Sequence, residues 1–422
     1  MLRKLVPKST YARNVVTLMT GTAFAQALPI AVSPILTRLY TPEEFGLAAL
    51  YLSCVAVMSL IATGRYELAI TLPASDEDAA HIVTFTIQLS VLISSLLYFP
   101  IFFFGTTIAQ WLGNSALAPW LYLLPISVLT TSSFNIFQYW CNRKSQYQMM
   151  SNNRMQNAVF STTLNTVLGL AKIPGGMILG PAMGQTLAAI LIGRKGWIQN
   201  KNLLSRINRQ AEKSMAKRYI DHPKYLAPAQ LLGTVAVQLP VFMIGSVYSL
   251  GVLGFFSMAY RMVTLPSGLI AGAIGDVYRQ RISAAYAECG EFRSIFVSTL
   301  RKTTLLALPP FVVIYFIAPI LFEWVFGAAW RVAGEYAQIL VVAAFFQFVF
   351  TPIDKGSVVV GATRYILAWH AARFASFLFL FYAVKNFSMT IESALWLFVL
   401  INSSLYFIDG FVGYWFAGKY DK

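Results

Sequence analysis

Apolar runs of about twenty residues alternate with short polar stretches along almost the whole chain, and this pattern predicts membrane-spanning helices. The runs fall near 15–37, 46–64, 82–104, 119–140, 155–172 and 175–193. After a basic stretch they resume near 227–248, 251–273, 303–322, 337–359, 364–384 and 392–417, which makes twelve. The fifth run is the most polar, with Ser161, Thr162, Thr163, Asn165 and Thr166. Such a helix is expected to face the protein interior rather than lipid. The break Pro174-Gly175-Gly176 then separates it from the sixth. The first run follows Arg3, Lys4, Lys8 and Arg13, and Ala23-Phe24-Ala25 imitates the cleavage site of a signal peptide. It nevertheless continues to Leu36, long enough to cross a hydrocarbon core of ~30 Å, so an uncleaved first transmembrane helix is expected.

Composition rules out the soluble alternative. The chain has 422 residues, of which 57% are apolar and 12% charged, and its mean hydropathy is +0.62. A soluble domain carries about 25% charged residues. Thirty-two Lys and Arg against 17 Asp and Glu give a formal charge of +15, which in a soluble chain would suggest nucleic acid. Here the cations sit between apolar runs, where they act as topology signals, and no nucleic-acid partner is expected. With the N-terminus in the cytoplasm, the two tails and the even-numbered connections hold 25 of the 32 cations. The odd-numbered connections hold only Arg38, Lys172, Arg331 and Lys385. That asymmetry predicts a multi-pass membrane protein of twelve helices with both termini cytoplasmic. Cys54, Cys141 and Cys289 are scattered, with no CxxC and no His cluster, so neither disulfides nor a metal site is expected.

The longest polar stretch, 194–224, contains nine Lys and Arg against Glu212 and Asp221. It reads as a basic cytoplasmic linker (194–225) between an N-terminal six-helix lobe (1–193) and a C-terminal one (226–422), with an amphipathic segment suited to the anionic inner leaflet. A short repeat agrees with duplication. The first span contains Gly21-Thr22, Gln26 and Pro29, and the seventh contains Gly233-Thr234, Gln238 and Pro240. Tyr40 precedes Gly46 by six positions, as Tyr248 precedes Gly254. The expected fold class is therefore an all-α integral membrane protein, with about twelve helices in two pseudo-symmetric lobes around a central cavity, the design of an alternating-access carrier.

A few charges fall inside the spans, where insertion costs roughly 2.5–3.5 kcal/mol each and a polar cavity or a partner is required. Arg261 is central in the eighth span, and Arg373 is central in the eleventh, one turn from His370. Lys355 is placed in the tenth beside Asp354. Arg38 closes the first span, and Arg65 closes the second with Glu67 two residues on. A cavity gathering these cations would select an anionic cargo, phosphate or pyrophosphate above all, because guanidinium binds phosphate oxygens bidentately. Pairing of Lys355 with Asp354, and of Arg65 with Glu67, is the plainer alternative. Asp354, Asp409 and His370 are candidates for ion coupling, although His370 serves equally well as a packing residue. No phosphate loop, HExxH, GxSxG or ATPase domain is present, so no cofactor is expected and any driving energy must come from a gradient or from the cargo.

Several segments resemble a known family. Arg38-Leu39-Tyr40-Thr41-Pro42-Glu43-Glu44-Phe45-Gly46 resembles the "RLYSPEEFG" segment of bacterial polysaccharide transporters of the O-antigen flippase (Wzx-like) type. Gly64-Arg65-Tyr66-Glu67-Leu68-Ala69-Ile70, Tyr219 to Tyr225, and Phe326-Gly327 with Trp330 and Ala333-Gly334 are similar to later segments of that family, in the same order. His222 stands where the family usually has Phe. The resemblance implies the multidrug/oligosaccharidyl-lipid/polysaccharide exporter fold. It also implies a flippase for undecaprenyl-pyrophosphate-linked oligosaccharide in lipopolysaccharide, capsule or exopolysaccharide biosynthesis, working among membrane lipids and other polysaccharide assembly proteins. In that family cavity cations hold the pyrophosphate, a role that transfers to Arg38, Arg65 and Arg261. Two rivals remain. A drug/cation antiporter of the same superfamily needs cavity carboxylates, whereas this chain embeds more Arg and Lys. A membrane glycosyltransferase or polymerase needs a sizeable outer loop to cover its sugar. The outer connections are short, and Glu43-Glu44 suits a helix start better than a catalytic pair.

Overall fold

A computed structural model describes residues 10–204 and 207–418. Twelve long helices correspond to the twelve expected spans. They are α1 (Thr10–Leu39), α2 (Pro42–Thr63), α3 (Asp76–Leu96), α4 (Leu124–Arg143), α5 (Tyr147–Leu170) and α6 (Gly176–Gln199), followed by α7 (Ala227–Val247), α8 (Leu250–Cys289), α9 (Arg293–Phe326), α10 (Arg331–Phe350), α11 (Thr363–Asn386) and α12 (Ile391–Phe416). No strand occurs among the described residues. Among the described residues nine helices are long and apolar enough to cross a membrane, and α4 with the segment Ser115–Leu121 before it, bent by 60°, makes a tenth if the pair counts as one span. The protein is a multi-pass membrane protein. By contact, the chain divides into two compact units, Met1–Thr234 and Val235–Lys422, with the boundary inside α7.

Several helices depart from the runs that predict them. The third run is not one helix. α3 ends at Leu96 and a separate helix, Tyr98–Trp111, follows, with Pro100 in its first turn, where a missing N–H costs nothing. α5 begins at Tyr147, eight residues before its apolar run, so Arg154 lies within a helix rather than a connection. The tenth run ends early: α10 stops at Phe350, and residues 351–355 form turns before the short helix Gly356–Val359. Pro352 has no N–H to continue the helical ladder. Conversely, α8 has 40 residues and α9 has 34, about twice what a span requires.

In the first unit α5 packs against α1 and α6, while α4 packs against α2, α3 and α6. Small residues allow the close approach. A Cβ at Gly180 or Gly184 would overlap Asn165 or Ser161 of α5, and one at Gly169 would press on Tyr40. The Tyr40 hydroxyl donates to the Asn165 carbonyl oxygen at 2.7 Å. Burial, with Glu44 nearby, pushes this phenol up to about 12, which keeps it a donor. α2 starts with a capping box: Glu44 N–H donates to Thr41 Oγ1, and Thr41 N–H donates to the Glu44 carboxylate. The basic stretch between α6 and α7 contains a helix, Arg209–Arg218, docked on this unit. Tyr66 donates to the Ala216 carbonyl, and Gln88 donates to buried Glu212. Lys213, Lys217 and Arg218 remain exposed on it.

The second unit is built on α10, which packs against α8, α9 and α12. Its core is aromatic, with Tyr278, Phe292, Phe296, Phe348 and Phe350 buried together.

Candidate functional site

Along α5 in the first unit, several embedded polar groups bond one another. Arg154, half-buried in α5, donates from Nε to Gln138 Oε1 at 3.3 Å and from Nη1 to Thr22 Oγ1 at 2.8 Å. Gln138 donates to Asn153, which donates to the Ala188 carbonyl. Asn157 donates to Gln185, and Ser161 to Asn157. These two sets of bonds lie along one face of α5, the first joining it to α1, α4 and α6 and the second to α6. Such pairing is required where no water offers a partner. Arg154 escapes a hydropathy reading because it sits outside the apolar window. The signal for it is the four-residue spacing of Asn153, Asn157, Ser161 and Asn165, which places amides and hydroxyls on one helical face.

Arg65 and Arg38 belong to the same unit. Arg65 has a left-handed backbone (φ 62°) after Gly64 and bonds the buried Glu67 carboxylate at 3.0 Å through Nη1, while its buried Nε bonds nothing. Arg38, exposed at the C-terminal end of α1, donates to the Pro34 carbonyl and so favours the negative helix end.

The second unit carries its charges differently. Asp409 of α12 is buried and accepts a 2.6 Å hydrogen bond from Tyr365 of α11. In the turn after α10, Lys355 pairs with Asp354 at 3.2 Å. Lys355 is therefore not inside a transmembrane helix, as the hydropathy pattern places it. The turn folds its stem towards Gly275 of α8, the nearest approach being 3.9 Å from where a Cβ would stand. His370 lies within electrostatic reach of Arg373 and Asp354, and Asp409 within reach of Asp354, Arg373 and Lys355. Five of the expected residues thus form one charged group on α11, α12 and the 351–355 turn.

Arg373 has no ion pair within 4 Å among the described residues. Its guanidinium lies 5.7 Å from the Phe377 ring centroid and 5.8 Å from that of Tyr406. Cation–π contact accounts for part of its stabilisation, yet its buried Nε bonds nothing. Arg261 stands apart from this group on α8. It is half-buried beside the stacked pair Phe256–Tyr260 and forms neither ion pair nor hydrogen bond among the described residues. Neither guanidinium is paired with a carboxylate among the described residues.

Comparison with known proteins agrees with this architecture. The lipid II flippase MurJ, in an inward closed conformation, superposes with a TM-score of 0.74 at 15% identity, covering 95% of this chain and 86% of that one. An inward-facing multidrug-resistance MATE transporter of the MOP superfamily gives 0.63 at 15% identity, covering 92% of this chain and 93% of that one. A MOP-superfamily transporter from Pyrococcus furiosus, described by the reversed polarity of its binding pocket, gives 0.60 at 13% identity and covers 94% and 93%. At such identities the likeness establishes the fold, that of twelve-helix transporters. No curated protein matches the chain in sequence. A family model does, over residues 35–335, and the chain accordingly belongs to the family of polysaccharide biosynthesis proteins.

Proposed function

We propose that this protein is a flippase that moves undecaprenyl-pyrophosphate-linked oligosaccharide across the bacterial inner membrane by alternating access. The observation that carries the reading is the pair of embedded arginines, Arg261 and Arg373, each with guanidinium donors that no carboxylate takes up. The second unit's carboxylates are already engaged, Asp409 by Tyr365 and Asp354 by Lys355. A cationic drug would find few free acceptors there, whereas a pyrophosphate finds free donors. Membership of a polysaccharide biosynthesis family supports a glycan cargo, and the transporter fold supports transport over catalysis.

In this reading Arg261 and Arg373 bind the pyrophosphate when it enters from the inner leaflet, while the polyprenyl chain stays in lipid. Arg38 and Arg65 attract the anion without coordinating it, since both already have local partners. Asp409, Asp354 and His370 supply the groups through which an ion gradient reaches the cycle. Both termini lie in the cytoplasm, and two six-helix lobes (1–193 and 226–422), joined by the basic linker 194–225, alternate in access.

The test is complementation by Arg261→Ala and Arg261→Lys in a strain lacking the native gene, with surface polysaccharide and membrane protein level read together. Arg261→Ala is expected to lose at least about tenfold in polysaccharide at normal abundance, trapping lipid-linked oligosaccharide inside, and Arg261→Lys is expected to retain part of the activity. Full activity of Arg261→Ala would refute the assignment. A null strain that accumulates unpolymerised sugar on the outer face would turn the reading towards an enzyme.

A further inference from the structure

The two overlong helices, α8 and α9, run antiparallel, yet they touch each other sparsely because each packs on α10 instead. Pro266 of α8 and Pro310 of α9 line the separation. Between them are two cavities of about 600 and 640 Å³ that meet at Leu306, which lines both. The first is almost wholly apolar, walled by Met262, Ile270, Pro310 and Phe311 among others. The second adds Arg281 of α8 and Lys302 of α9, with the hydroxyls of Ser298 and Thr299. Both cations are exposed, and neither forms an ion pair among the described residues. The groove is therefore amphipathic end to end, with hydrocarbon walls at one end and phosphate-binding donors at the other.

The α9 wall of the two cavities runs from Ser294 to Phe326, about 48 Å at ~1.5 Å per residue. Along α8, eleven residues separate Ile270 from Arg281, about 16 Å, close to half of a ~30 Å hydrocarbon core, with the cations at one end. That end belongs to the connection carrying Arg279, Arg281 and Arg293, the side on which anionic lipid attracts basic residues.

We propose that the α8–α9 groove is a binding site for an anionic glycerophospholipid of the cytoplasmic leaflet, its phosphate held by Arg281 and Lys302 and one acyl chain lying against Ile270, Leu306 and Phe311. The occupant is a bulk lipid because the groove is open to the surrounding membrane and its two cations lie about one acyl chain's length from Ile270 along α8. The site is independent of the proposed flippase activity and uses none of its residues.

Native mass spectrometry tests this on the full-length protein, released from detergent after incubation with equal amounts of phosphatidylglycerol, phosphatidylethanolamine and undecaprenyl monophosphate. Phosphatidylglycerol is expected to be retained preferentially, and at least fivefold less on Arg281→Gln/Lys302→Gln than on the unmodified chain. Leu306→Trp, which fills the junction without altering charge, is expected to lower retention as well, and size-exclusion profiles report whether each variant is folded. Equal retention by all three proteins, equal retention of phosphatidylethanolamine, preference for undecaprenyl monophosphate, or retention of no lipid would each overturn the assignment.

Discussion

The two compact units place their embedded arginines differently. The first bonds Arg154 into a polar seam along α5 with Gln138, Asn153 and Asn157 nearby, while other buried polar atoms of that unit, among them Arg65 Nε and Asn165 Oδ1, have no partner. The second buries aromatic rings around α10 and leaves Arg261 and Arg373 with unused donors. A bonded polar seam specifies how helices rotate against each other, since each misplaced amide costs a desolvated, unpaired group. An unpaired cation contributes nothing of that kind to the fold. Polar residues in a membrane protein thus divide into those that fix structure and those held ready for a ligand, and composition alone does not separate them.

Substitutions that cross the comparison sharpen it. The largest effect is expected from Gly184→Leu, because even a Cβ would lie 2.6 Å from the Ser161 backbone nitrogen and the α5–α6 contact would have to open. About 3 kcal/mol or more of destabilisation, seen as loss of folded protein from the membrane, is expected. Gly272→Leu in α8, with open space around it, should leave abundance unchanged. Next comes the contrast of two arginines. Arg154→Met removes two hydrogen bonds and leaves Gln138 and Thr22 short of a donor, for a loss of about 1–3 kcal/mol in thermal unfolding. Arg261→Met should be neutral or stabilising in the same assay, since it removes an uncompensated charge, while abolishing polysaccharide export. If Arg261→Met unfolds the protein and Arg154→Met does not, the division between the units fails.

Two smaller effects complete the series. Tyr365→Phe deletes the bond to Asp409 and is expected to cost about 1.5 kcal/mol of stability, as a hydrogen bond to a charged group. Thr41→Ala breaks the capping box of α2 and should cost about 0.5–1 kcal/mol, measurable as a modest drop in melting temperature in detergent.

Much of the architecture was legible in the chain. Eleven of the twelve apolar runs each correspond to one long helix and the third is divided between two, because covering about 30 Å of hydrocarbon leaves a signal in any window of twenty residues. The limits of that signal show at its edges. α8 overruns its apolar run to Cys289, since a helix does not end where lipid ends. α10 stops at Phe350 inside an apolar run, since Pro352 interrupts the ladder without changing hydropathy. Arg154 was hidden for the converse reason, in a helix whose first turns are polar.

Among the candidate residues the sequence by itself located Arg261 and Arg373 in apolar runs, misplaced Lys355 and missed Arg154, and it offered two local pairings that the fold contains, Arg65 with Glu67 and Lys355 with Asp354. Neighbours two residues or fewer apart meet whatever the fold. Only the tertiary structure brought Tyr365 to Asp409, placed Arg373 between the Phe377 and Tyr406 rings, and joined Arg154 to Thr22 across 132 positions. Those contacts depend on how each helix is rotated about its axis. Hydropathy averages over all sides of a helix, so it reports that a segment crosses the membrane and is silent on which side chains face one another.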